Sequence, residues 1–93
     1  MTDSTTGTAR QNQRTYDPVT FEIMDHIGSL STSASGWQRE VNIVAWNGKQ
    51  ARLDIRDWNP EHTKMSRGIG LNGIEVENLT ALLNSFNPLQ AGI

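Results

Sequence analysis

The sequence predicts an α+β fold: a four-stranded antiparallel sheet followed by one C-terminal helix, in the order β-β-β-β-α. Three observations carry this. Two runs of alternating apolar and polar residues meet at Asn47-Gly48. A Pro-containing loop and a glycine pair then frame a further short strand. Finally, Asn72 opens a run in which Leu79, Leu82, Leu83 and Phe86 fall at i, i+3, i+4 and i+7, one stripe of a helix.

The first strand is read from Val19 to Leu30. Phe21 and Ile23 share one face and Thr20, Glu22 and Met24 the other, with the pattern weakening at Gly28. Small polar residues from Ser31 to Gly36 make a loop. The second strand, Trp37 to Trp46, places Val41, Ile43 and Ala45 on one parity and Gln38, Glu40, Asn42, Val44 and Trp46 on the other. Asn47-Gly48 tolerates the positive φ values of a two-residue type I′ turn. The third strand, Lys49 to Trp58, sets Ala51, Leu53 and Ile55 against Arg52, Asp54, Arg56 and Trp58, since successive strand side chains alternate faces. Asn59-Pro60 ends it, and Asn59 to Lys64 is loop. The fourth strand spans Met65 to Leu71, where Gly68 and Gly70 allow a bulge or a close backbone approach. Asn72 with Glu75 forms a capping-box pattern, and Pro88 ends the helix.

The ends of the chain differ from its middle. Residues 1–18 hold Met1 and Tyr16 as their only large apolar side chains, too little apolar surface to offset ordering entropy, so this stretch is expected to be a flexible arm. Residues 19–87 make the folded domain and residues 88–93 a short tail. Nothing resembles a secretory signal or a membrane span, so a soluble, cytoplasmic protein is expected, associated with the nucleoid in a bacterial host. With no cysteine, disulfide staples, thiolate zinc sites and cysteine nucleophiles are excluded. A core of about 67 residues without cross-links is marginal alone, which favours a homodimer. The net charge of −2 is unevenly spread. Arg39, Lys49, Arg52, Arg56, Lys64 and Arg67 outnumber Glu40, Asp54, Asp57 and Glu61 in the middle, while the flanks are acidic.

A sheet of this kind has one face covered and one free. If Val41, Ile43, Ala45, Ala51, Leu53 and Ile55 are covered, the free face carries Asn42, Trp46, Arg52, Arg56 and Trp58. Flat rings stack on unpaired bases and guanidinium groups neutralise phosphates, so this face fits single-stranded nucleic acid. The alternative is that Trp46 and Trp58 cap the hairpin or fill a second core; Arg52 and Arg56 around Asp54 equally suit an intra-sheet ion-pair ladder. Trp37 shares the parity of Val41 and Ile43 and reads as core, unless a bulge intervenes and makes it a contact residue. His26 and His62 are isolated by spacing and read as surface or internally satisfied histidines. Phosphate-loop, HExxH and nucleophile-elbow patterns are absent, so a non-enzymatic chain without cofactor, metal or small-molecule substrate is expected.

The stretch Val41 to Leu71 resembles the transcriptional coactivator family known as positive cofactor four. The resemblance rests on Asp54-Ile55-Arg56, Trp58, Pro60, the strand Arg67-Gly68-Ile69-Gly70-Leu71, and Asn72 at the helix start, and it covers Phe21 to Phe86. The run Trp58 to Met65 is closer to the bacterial branch. The resemblance implies a dimer formed through the helical side, with Leu79, Leu82, Leu83 and Phe86 at the interface. It further implies single-stranded DNA held across the sheets with little sequence preference. It places Trp46 and Trp58 at or near stacking positions and Arg39, Arg56, Lys64 and Arg67 at basic contact positions.

The expected partners are therefore single-stranded nucleic acid, DNA before RNA, and a second copy of the chain, in transcription, replication or repair. A protein-interaction adaptor using the same tryptophan–arginine face is the competing reading.

Overall fold

The computed structural model describes residues 19–93; the arm expected over residues 1–18 lies outside them. The elements are β1 (Phe21–Thr32), β2 (Gln38–Trp46), β3 (Arg52–Trp58), β4 (Ile69–Leu71), α1 (Gly73–Asn84) and α2 (Pro88–Ala91). The strands form one antiparallel sheet in chain order. This is the α+β fold, sheet then helix, that the sequence predicts.

The β2–β3 hairpin turns on Asn47 and Gly48, with φ of 52° and 72°, and the Lys49 N–H donates to the Trp46 carbonyl at 2.9 Å. The turn is the expected one, but pairing resumes only at Val44 opposite Arg52. One extra residue on the β3 side makes this register. Without it Val44 would face Ala51, and every β3 side chain would change faces. The strand therefore starts at Arg52 rather than Lys49.

β1 departs most from simple alternation. Its pairing with β2 shifts between Ile23 and Asp25, between His26 and Gly28, and between Ser29 and Ser31. Met24, Ile27 and Leu30 are the residues skipped, and they are 56%, 55% and 63% exposed. Each bulge bends the strand and increases its twist. The first also resets parity: Phe21 lies opposite Trp46, Ile23 opposite Val44 and His26 opposite Asn42. Strict alternation would have put His26 on the other face.

β4 is shorter than expected. Only Ile69–Leu71 joins the ladder, and Met65 makes a lone bridge to Trp58. Between them Gly68 passes so close to β3 that a Cβ there would lie 2.5 Å from both the Arg56 Cβ and the Ile55 carbonyl oxygen, an approach only glycine allows. The predicted capping box is present: the Asn72 side chain accepts from the Glu75 N–H, and the Glu75 carboxylate accepts from the Asn72 N–H, both at 2.9 Å. Past α1, residues 88–91 of the expected tail form α2. Asn87 caps it, accepting from the Leu89 N–H at 3.0 Å, and Pro88 occupies the first turn, where its missing N–H is no loss.

The expectation that the apolar parity is covered and the tryptophan–arginine parity is free is reversed. Val44, Trp58, Asn42 and Asp54 are fully buried, all on the parity expected to be free. Val41, Ile43, Ala45, Leu53 and Ile55 are only half-buried. Two causes are visible. The bulged β1 curls Phe21 over the sheet, and the loop after β3 folds back across the same face. Meanwhile α1 has no buried residue and reaches the sheet through Val76, which lines a shallow depression with Ile43, Leu53 and Leu71.

Candidate nucleic-acid interface

The reversed face is built from rings and polar groups together. Trp46 and Trp58 stack with centroids 6.4 Å apart and planes 12° from parallel. Phe21 closes over both, at 5.7 Å and 5.1 Å. The Arg56 guanidinium lies 4.3 Å above the Trp46 ring, a cation–π geometry. It is fixed there by two bonds to the Asp54 carboxylate, both 2.6 Å, and by a 3.3 Å bond to the Ser66 carbonyl. Asp54 is wholly buried and the Arg56 side chain 16% exposed. This pair is thus an internal strut first, of the ladder type that the sequence left open.

Trp58 is 0% exposed and its indole Nε1 is buried with no hydrogen-bond partner among the described residues. A fully buried ring offers no face to a base in this conformation. The same holds for Asn42, whose amide donates to Glu40 at 3.1 Å and accepts from the His26 Nδ1–H at 2.6 Å. Trp46 is half-buried, and Arg52, Lys64 and Arg67 are exposed. Arg39 sits on the other parity in an exposed pair with Asp57 at 2.9 Å. Each partner favours the other's charged form, raising the Arg39 pKa and lowering that of Asp57. Arg39, Arg56 and Arg67 nevertheless converge on one groove of about 570 Å³ beside Ser66 and Gly68. The structure therefore brings Trp46, Arg52 and Arg56 together on the face. It gathers Arg39, Arg56 and Arg67 at the groove, and leaves Lys64 on the loop after β3.

A group that sequence reasoning set aside also assembles here. Glu40, 3% exposed, accepts from the His62 Nε2–H at 2.9–3.0 Å and from Asn42, with His26 Nδ1 at 3.6 Å. Burial is the largest influence on its carboxyl and pushes its pKa up. The bonds from Asn42 and His62 and the charge of the two imidazoles outweigh this, so the net pKa lies below the ordinary 4.5. His62 is brought to the site by the loop. The Asn59 side chain accepts from the N–H groups of Thr63 and Lys64, both at 2.9 Å, and His62 itself adopts a left-handed φ of 59°. The available sequence signal was the spacing of Met24, Ile27 and Leu30 by three, incompatible with a plain strand. No group of metal-binding residues is formed among the described residues, and no described helix is long and apolar enough to cross a membrane.

The chain is similar to known proteins in sequence. The sequence model of the family described as Transcriptional Coactivator p15 (PC4) matches residues 33–82, from the loop before β2 through most of α1. An uncharacterized protein of Treponema pallidum (strain Nichols) is 39% identical over 71 residues, 76% of this chain and 84% of that protein.

Proposed function

The chain belongs to the Transcriptional Coactivator p15 (PC4) family, and from that premise we propose that it binds single-stranded nucleic acid, DNA in the first place, without catalysing a reaction. The observation that carries this reading is the placement of the half-buried Trp46 ring under the Arg56 guanidinium, at 4.3 Å, with exposed Arg52, Lys64 and Arg67 on the same chain. Rings for stacking and cations for phosphates are the two components that sequence-tolerant single-strand binding needs. Arg39 lines a groove with Arg56 and Arg67, but it reaches a phosphate only if its pair with Asp57 opens. Trp58 and Asn42 serve this face from within, as supports.

The same reading includes a homodimer. A twelve-residue helix with no buried residue is held only lightly by its own chain, through Val76, and isolated helices of this length are marginal in water. Leu79, Leu82, Leu83 and Phe86 are 37%, 70%, 53% and 45% exposed. A second copy laid along this stripe, and over the half-buried apolar side of the sheet, would cover both surfaces at once.

Titration of labelled oligo-dT, and of a duplex of equal length, tests the function. The single strand is expected to bind more tightly, because paired bases have no open faces. Equal affinity for both would point to phosphate contacts alone, and binding of neither would sink the proposal in favour of a protein partner.

A further inference from the structure

On the same face, His62, His26, Gln38, Ile23, Asn42 and Glu40 enclose a cleft of about 350 Å³. We propose that this cleft takes one unpaired nucleobase of a bound strand, with the His62 imidazole as its stacking face and Trp58 as the support behind that ring. The inference rests on the single-strand reading above and adds to it a ring and a pocket.

Three features single out His62. First, the ring is immobilised. Its Nε2–H donates to both oxygens of the buried Glu40 carboxylate, which can only accept, so the bond fixes the orientation of the ring. Second, the ring leans on Trp58, centroids 5.6 Å apart and planes 32° from parallel, while its side chain stays 39% exposed. With half-buried Trp46 it is one of the two outer members of the row Trp46–Trp58–His62, whose middle member no base can reach. Third, the backbone is held in a left-handed conformation to put it there, one that a non-glycine residue adopts at a cost and that the surrounding bonds must maintain. A histidine serving only as surface would not require this. Imidazole is among the side chains on which unpaired bases stack.

The lining chemistry selects the ligand class. A phosphate is disfavoured by the Glu40 carboxylate at the floor, and a metal ion by the Glu40 oxygens already accepting from Asn42 and His62. A flat, neutral heteroaromatic ring suits the space. Ile23 gives an apolar wall. Across the cleft, His26 is pinned through Nδ1 to Asn42 with its side chain 53% exposed. The Gln38 carbonyl accepts from the Ser29 hydroxyl, which leaves the Gln38 amide N–H groups to meet a carbonyl on the base edge.

Two substitutions separate the ring from its hydrogen bond. His62→Gln keeps a donor for Glu40 and removes the ring; His62→Phe keeps a flat ring and removes the donor. Oligo-dT affinity and melting temperature are measured on both and on the unaltered chain. Affinity is expected to follow the ring: His62→Gln weakens binding roughly 5- to 150-fold, the effect of losing one base–aromatic stack, at a nearly unchanged melting temperature. His62→Phe retains affinity to within about threefold and melts lower, because Glu40 is left buried without its partner. Should His62→Phe fail to fold, Glu40→Gln combined with it removes the unpaired charge and restores the comparison. A folded His62→Gln variant with unchanged affinity overturns the inference while leaving single-strand binding intact. An unaltered chain that binds no oligonucleotide overturns both.

Discussion

Trp58 lies parallel to Trp46 at 6.4 Å, yet Trp58 is wholly buried and Trp46 is not. One stacked pair therefore divides into a structural ring and a ring within reach of ligand. Trp58→Ala is expected to cost about 3–5 kcal/mol of stability, as for other buried aromatics. Trp46→Ala is expected to cost about 1–3 kcal/mol of binding, with Trp46→Phe keeping most of the affinity. Melting temperatures and oligo-dT affinities of the three variants check this. A Trp58→Ala variant as stable as the unaltered chain would contradict the burial.

Salt dependence reports how many cations reach phosphate. Arg56 is held by Asp54 and Arg39 by Asp57, which leaves Arg52, Lys64 and Arg67 as the exposed candidates. Three contacts at roughly 0.7 released counterions each give a slope of log K against log[salt] near ~−2 per protomer. A slope near ~−3 would mean that the Arg39–Asp57 pair opens on binding; a flat line would mean that phosphates are not engaged.

The parts of this fold legible in the sequence were those fixed locally. The Asn47-Gly48 turn and the Asn72/Glu75 capping box each depend on four or fewer consecutive residues, and both formed as expected. The parity groups within β2 and within β3 were also legible, because alternation along a single strand is local; the extra residue that sets Val44 opposite Arg52 was not. Which parity faced inward was not, since that depends on the curl of β1 and on the return of residues 59–64. The bulge at Met24 decided the place of His26, and a left-handed φ decided that of His62. Neither is visible from spacing alone, so the Glu40 cluster escaped a reading based on alternation. The Asn87-Pro88 start of α2 is also a local cap signal, although it follows the end of α1 so closely that Pro88 reads equally as a helix stop.

Glu40 predicts an acid-sensitive fold. Its folded-state pKa lies below the ordinary 4.5, so the unfolded chain takes up the proton more readily. The stability it contributes is fully present above about 4.5 and is lost as pH falls through the folded value. Glu40→Gln is expected to lower stability by about 1–3 kcal/mol at neutral pH, the effect of weakening charge-assisted bonds to a buried group. It should also flatten the decline below pH ~5, where carboxylates with depressed pKa values are protonated. Urea midpoints between neutral and acid pH measure both. An unchanged acid limb in the variant would assign the sensitivity to another carboxylate.

A homodimer and a lone chain make opposite predictions at Leu82. Seen in one copy, Leu82 is 70% exposed, and an exposed substitution away from any special feature changes stability by no more than about 0.5 kcal/mol. If instead the Leu79–Leu82–Leu83–Phe86 stripe is covered by a second copy, Leu82→Glu places a charge in an apolar interface. Folding and association are then linked, because a protomer whose helix has no buried residue of its own gains its stability from pairing, and melting temperature rises with protein concentration. The expected result is a dimer by light scattering for the unaltered chain. Leu82→Glu should give a monomer or unfolded chain, with a melting temperature well below that of the unaltered dimer. A Leu83→Asp variant should behave alike, since Leu83 lies beside it on the stripe. An unaltered chain that stays monomeric at micromolar concentration, with a melting temperature independent of dilution, would exclude the dimer and leave the stripe to a different protein.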